Sequence, residues 1–364
     1  MKDYPLTRLF ALDVLRGLDM LLLTVVGPII LSVQDGWNCF PIGFMRQFDH
    51  GWECFTLWDI IMPLFIFMCG AAIPFALGRR LKDGQAVFWM HVLARVAFLW
   101  SLGGLVQGKW ITLDLSQVSP YSNTLQSIAA GYLIVATVMS LRSKALEIVV
   151  PVVLAAGYTL ALIFGGDYSQ FGNFAFKVDH AILKAMLPAD NVWVTNPNYY
   201  TWFLTSTMFA AMTFAGYHAT RILLSERAKR RKAGLLFAYG AILLAVGFLS
   251  EIWVPCIKPI FTLSFTAQAM GWCVIALAVL YVVNDICMFR RGFAGAVFFG
   301  QLALTAYFVS HFFHPVLRAS AHLLGNGLVA YLPDHVSCFV LTLIEVVCMI
   351  SAMICWRAVK MRNE

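Results

Sequence analysis

Stretches of about twenty consecutive apolar residues, each closed by a short polar break, recur from one end of the chain to the other. A hydrocarbon core about 30 Å thick takes roughly 20 helical residues per crossing. A membrane β-barrel would instead show alternating segments of about ten residues, so the repeated long runs predict a bundle of transmembrane helices. The expected spans are 9–33, 56–77, 87–106, 124–141, 145–165, 201–222, 233–253, 265–284, 293–312 and 337–355. The apolar stretch 316–333, broken by Gly325, Gly327 and Pro333, is an eleventh candidate. Only 12% of residues are charged, against about 25% in soluble domains, which excludes soluble enzymes, nucleic-acid binders and disordered chains. The fold class is therefore all-α integral membrane, a single domain over 1–364, with the bilayer as its first partner and a homodimer left open.

The net charge of +7 must be sorted by side before it means anything, because cytoplasmic loops collect Lys and Arg. With the N-terminus inside, the inner segments hold 18 such residues: Lys2, Arg8, Arg79, Arg80, Lys82, Arg142, Lys144, Arg221, Arg227, Lys229 to Lys232, Arg290, Arg291, Arg357, Lys360 and Arg362. The outer segments hold 6: Arg46, Lys109, Lys177, Lys184, Lys258 and Arg318. Both termini are thus expected in the cytoplasm, in a multi-pass plasma-membrane (inner-membrane) protein. Asp13, Arg16 and Asp19 interrupt the first apolar run, so it is expected to be a retained helix rather than a cleaved signal. Six of eight histidines fall on or beside the outer face, namely His50, His180, His311, His314, His322 and His335. Trp37, Trp52, Trp110 and Trp193 join them there. Either chemistry happens at that face or these rings anchor the interface.

Cysteine and charge spacing narrow the chemistry. Cys39 and Cys54 share the first outer loop, where a disulfide is conceivable in an oxidising compartment. His311 and His314 lie three apart, but no third ligand is fixed by spacing, so no metal is expected. Intramembrane charges are functional suspects. In the first helix Asp13, Arg16 and Asp19 are spaced so that Arg16 reaches both carboxylates, as a structural clasp or a site. Pro63 sits four residues after Asp59 and cannot donate to its carbonyl, so the second helix should loosen there. Gly70 and Pro74 repeat the spacing, and Glu251 and Glu345 add two further intramembrane carboxylates.

The opening RLFALDVLRGLDM and the segment FDHGWECFTLWDIIMPLFIFMCGAAIPFAL at 48–77 resemble the transmembrane acyltransferase family of heparan-α-glucosaminide N-acetyltransferase and its bacterial relatives. The matching positions are Arg16, Gly17, His50, Asp59, Pro63, Phe65, Phe67 and Gly70, with the loop tryptophan at Trp52. Weaker echoes are LQSIAAGYL at 125–133, Asp179, YTWFLTSTMFAAMTFAG at 200–216, PCIKPIFTLSF at 255–265 and GQLALTAYFVSH at 300–311. The chain departs from the family pattern at Gly27, Ser127 and Leu302, where Asn, Arg and Asn are usual.

The resemblance implies transfer of an acetyl group from cytoplasmic acetyl-CoA, the donor, to an amino sugar or other glycan across the membrane. It implies that His50 acts as general base or acyl carrier and that Asp59 holds or polarises the site. Trp52, Asp179, Lys258, Tyr307 and His311 would bind substrate, with Trp193, Tyr199 and Tyr200 as further aromatic platforms. Donor phosphates would need cations, which the runs GRRLKDG at 78–84 (Arg79, Arg80) and SERAKRRKA at 225–233 (Arg230) offer; topological charge explains them equally well. No Walker loop, dinucleotide fingerprint or nucleophile elbow is present. The other readings are a secondary transporter relaying protons through Asp59 and Glu345, and a non-catalytic partner of a glycan system.

Overall fold

A computed structural model describes residues 9–363; Lys2 and Arg8, counted above among the inner charges, lie outside them. The described chain is helical throughout, and its β pairing is one isolated antiparallel bridge, Glu53 with Ile257. In chain order the main helices are α1 (Phe10–Trp37), α2 (Trp58–Leu77), α3 (Gln85–Val106), α4 (Thr124–Ser140), α5 (Lys144–Gly165), α6 (Phe174–Met186) and α7 (Ser206–Leu224). They continue as α8 (Lys229–Ser250), α9 (Leu263–Ile286), α10 (Ala294–Gln301), α11 (Ala303–Phe312), α12 (His314–Val329) and α13 (Asp334–Asn363).

Seven of these helices are long and apolar enough to cross a membrane: α1, α2, α3, α5, α8, α9 and the Asp334–Lys360 part of α13. The bent pair α10 and α11, turned by 74°, makes an eighth if it is one span. This is a multi-pass membrane protein. The two remaining expected spans are helical but different in kind. Helix α4 has only 17 residues, and α7 carries Thr213, His218, Thr220 and Arg221 along an otherwise apolar sequence. The break expected nowhere within 293–312 falls at Leu302, and the eleventh stretch is α12.

The chain folds as two compact units. The first, His50–Met288, holds α2 to α9. Within its membrane windows α2 and α9 are each 61% buried, against 22%, 17% and 22% for α3, α5 and α8, so α2 and α9 form the interior. Lipid chains are as apolar as leucine, so helix association in a bilayer relies on close packing rather than on the hydrophobic effect. Gly70 of α2 and Gly216 of α7 supply it. A Cβ on Gly70 would lie 1.9 Å from the Thr213 carbonyl oxygen, and one on Gly216 would lie 1.9 Å from that of Phe67.

The second unit comprises Leu9–Asp49 and Phe289–Glu364, and α1 packs there against α10 and α13. Gly17, the glycine of the Arg-Gly pair, lets α10 approach: a Cβ there would meet the Ala296 carbonyl oxygen at 1.6 Å. A π-helical turn at Leu22–Val26 shifts the register of α1 just before Pro28. The expected Asp13–Arg16–Asp19 clasp is only half formed. Arg16 lies 3.7 Å from Asp13, whereas both Asp19 oxygens are buried without a hydrogen-bond partner.

Candidate active site

Asp59 is set by its own helix start. Because Pro63 offers no amide to the Asp59 carbonyl, residues Trp58–Ile60 form a 3₁₀ turn and the α-helix begins at Ile61. The Asp59 amide donates to the Thr56 carbonyl at 3.2 Å, and Asp59 Oδ2 accepts from the Thr56 amide at 3.1 Å. The two residues thus bond reciprocally, the Thr56 carbonyl to the Asp59 amide and the Asp59 carboxylate to the Thr56 amide. It fixes the carboxylate with one oxygen and leaves Oδ1 to do something else.

Two nitrogens meet at that oxygen. His50 Nδ1 lies 2.8 Å from Asp59 Oδ1, and Lys258 Nζ donates to the same atom at 3.0 Å. The Lys258 nitrogen is 3.5 Å from His50 Nδ1. A carboxylate oxygen can only accept, so Nδ1 must carry the proton and donate. In the neutral ring Nε2 is then the nitrogen with the lone pair, the tautomer a general base requires. Asp59 is 1% exposed, while 43% of the His50 side-chain surface is open, so the ring spans from a sealed carboxylate to accessible space.

The segment between α8 and α9 delivers Lys258. The Glu53–Ile257 bridge aligns this segment with the His50 loop. The Ile257 amide donates to Thr262 Oγ1 at 3.0 Å, Ser264 Oγ donates to the Pro255 carbonyl at 2.9 Å, and Tyr158 donates to the Ile260 carbonyl. Phe261 takes a left-handed conformation, φ 43°, to close the turn. Burial lowers the Lys258 pKa, and the charge and hydrogen bond of Asp59 oppose that shift.

Trp52 follows His50 by two residues in the same loop. Its Nε1 donates to the Tyr168 carbonyl at 2.9 Å, and its ring meets Tyr199 edge-on at 5.7 Å. Trp52, Glu53 and residues 167–170 line an open cleft of about 450 Å³. Tyr199 and Tyr200 are stacked at 5.4 Å. Trp193 instead donates to the Gln117 carbonyl at 3.3 Å, as a fastener between loops.

Other expected site residues are occupied differently. Asp179 accepts from the amides of Trp202, Phe203 (3.1 Å) and Leu204 (3.3 Å), so it holds the approach to α7. Burial nevertheless raises its pKa to about 6. Tyr307 and His311 belong to the second unit, where their rings stack at 4.2 Å. His311 lines a cavity there of about 1010 Å³, with His314, His322, Arg318, Asp35 and Glu345. His314 lies 3.4 Å from Glu345. Arg80 donates to the Ala76 carbonyl at 3.2 Å, and Arg79 and Arg230 are exposed. Cys39 and Cys54 are thiols, not a disulfide.

Sequence reasoning missed Thr56 and the Glu53–Ile257 bridge. Thr56 was readable, since T-x-x-D before an apolar run is a capping signal. The bridge joins residues some two hundred apart and had none.

Among the described residues no group of three His, Cys, Asp or Glu side chains is placed to hold a metal ion. No curated protein matches the chain. A family profile does, over residues 8–214, more than half of the chain. The match takes in His50, Asp59 and Asp179 and stops short of Lys258. The chain belongs to the family described as a domain of unknown function, DUF5009.

Proposed function

We propose that this protein is a membrane-embedded acyltransferase, moving an acetyl group from acetyl-CoA to an amine on a glycan acceptor, with His50 as the general base. The observation that carries the reading is the 2.8 Å contact between His50 Nδ1 and the buried carboxylate of Asp59, shared with Lys258 at 3.0 Å. A carboxylate that fixes the tautomer and orientation of a half-exposed imidazole is the recurring core of acyl-transfer sites. The charge sorting of 18 inner against 6 outer Lys and Arg supports ten crossings of the plasma membrane with both termini cytoplasmic and His50 on the far face.

The acceptor amine attacks the thioester carbonyl, so that a C–N bond forms and the C–S bond breaks. His50 Nε2 takes the amine proton and returns it to the departing thiolate, giving free CoA. Asp59 stabilises the imidazolium that forms between these steps. Lys258 donates to the same Asp59 oxygen as the ring and so helps hold the carboxylate in place. Trp52 and Tyr199 offer an apolar wall to a sugar ring beside the base. Positioning carries much of the rate in such a transfer, because a correctly held acceptor replaces a bimolecular encounter.

The test uses sealed vesicles of the purified chain with acetyl-labelled CoA on one side and amino sugars on the other. Label is expected on the sugar, in proportion to protein. The second unit's cavity, with Glu345 beside His314, favours a proton-coupled carrier as the second reading. Sugar uptake that follows a pH gradient, with no labelled product and no thioester hydrolysis, would replace the first reading by the second.

A further inference from the structure

A second polar cluster lies at the other end of the first unit's helices and plays no part in the chemistry above. Glu147, in the first turn of α5, is buried. Its carboxylate accepts from the Tyr217 hydroxyl at 3.0 Å and from Arg221 Nη1. Its carbonyl accepts from His218 Nε2 at 3.0 Å. The Arg221 guanidinium also lies over the Tyr217 ring, 5.6 Å from its centre. A buried carboxylate, a phenol and a ring face therefore hold one guanidinium in a fixed attitude. Guanidinium has five donors, and Glu147 uses only the Nη1 end.

Arg221 forms one wall of an open cleft of about 330 Å³, whose other walls are His218, Ile222, Ser225, Arg227 and Tyr239. Two guanidiniums, an imidazole and a phenol line it, and no carboxylate does. Glu147 lies behind Arg221 rather than in the cleft. The chain reverses here between α7 and α8, and the reversal is braced: Ser225 Oγ donates to the Ile222 carbonyl at 2.7 Å and Lys232 Nζ to that of Leu223 at 2.8 Å. Two guanidinium forks lining one cleft on a braced turn suit phosphoryl oxygens, which accept paired N–H bonds in one plane. The cleft lies at the small end of ligand pockets, about 300 Å³ upwards, so it suits a phosphoryl group rather than the molecule that bears it.

We propose that this cleft binds a phosphate monoester through Arg221 and Arg227. The bearer is either a soluble phosphate ester or the headgroup of a membrane lipid, since both present the same dianionic group. The inference does not require the acyltransferase reading, in which the run 225–233 that holds Arg227 was offered to the donor's phosphates.

The test measures binding to the full chain in phosphatidylcholine nanodiscs. Inorganic phosphate and AMP are the soluble probes; nanodiscs doped with phosphatidic acid, scored by thermal stabilisation, are the lipid probe. Saturable binding of a soluble probe assigns the soluble source, and stabilisation by phosphatidic acid alone assigns the lipid. In either arm Arg227→Gln should weaken binding at least tenfold, a loss typical of one charge-assisted contact. Arg227→Lys, which keeps the charge and loses the fork, should fall between the two. Lys144→Gln removes an exposed charge beside Glu147 that does not line the cleft, and should leave binding unchanged. The proposal is overturned if neither probe binds, or if Lys144→Gln weakens binding as much as Arg227→Gln does.

Discussion

The His50 centre and the large cavity of the second unit hold similar side chains and differ in how those chains are coupled. At His50 an imidazole, an ammonium and a carboxylate lie within 3.5 Å of one another, and the carboxylate is sealed. Attraction between unit charges at such distances runs to a few kcal/mol even at an effective dielectric near 20. In the second unit about 1010 Å³ of space separates most of the charged groups, and His314 and Glu345 are 52% and 24% exposed. Water screens them. The comparison teaches that volume and charge count do not make a catalytic centre. One buried atom, Asp59 Oδ1, brings both partners together within hydrogen-bond distance.

The largest expected consequence follows from removing that atom's charge. Asp59→Asn leaves the Lys258 ammonium buried without its counter-charge, and breaking a buried pair costs about 3 to 5 kcal/mol. Transfer should fall on the order of 10⁴-fold, because the imidazole loses its fixed tautomer. Glu345→Gln should cost less than about 1 kcal/mol, as for a screened pair. Denaturation of both variants in one detergent measures the contrast, and equal losses would erase it. Replacing both charges, Asp59→Asn with Lys258→Met, should return most of the stability and none of the activity, which separates holding the fold from doing chemistry.

A smaller effect sharpens the comparison within the first unit. Asp179 titrates near 6 in the folded chain, raised by burial, and near 4 when unfolded. Between those values the folded chain retains a proton that the unfolded chain has lost, so stability falls as pH rises from about 4 to about 6 and is level above that. The loss should be on the order of 3 kcal/mol and absent from Asp179→Asn. Thermal unfolding of both proteins across this window checks it, and parallel curves would refute it. Smallest of all, Trp52→Phe removes one hydrogen bond, to the Tyr168 carbonyl, and should cost about 1 kcal/mol.

The sequence made the helices legible because hydropathy acts over twenty residues at a time, so each expected span lies on a helix. It did not disclose the 74° bend at Leu302 or the early start of α8 at Lys229, which tertiary contacts and a basic first turn decide. Asp59 stood out because a proline four residues on alters its backbone, and His50 because the resemblance pointed to it. Lys258 came from resemblance alone; its meeting with Asp59 depends on a bridge between distant loops. For Asp179, no local pattern shows that three amides of a distant segment donate to its carboxylate. Arg221 was counted as a topological charge, since its partner Glu147 is seventy-four residues away.

The central claim is that the imidazole of His50 moves the proton in acetyl transfer. The most direct measurement is the single-turnover rate of labelled acetyl transfer to an amino sugar by His50→Ala beside the parent chain, with each shown to unfold at the same temperature. The account predicts a loss of at least about 10²-fold, the usual contribution of a positioned general base. A variant that transfers label as fast as the parent contradicts it.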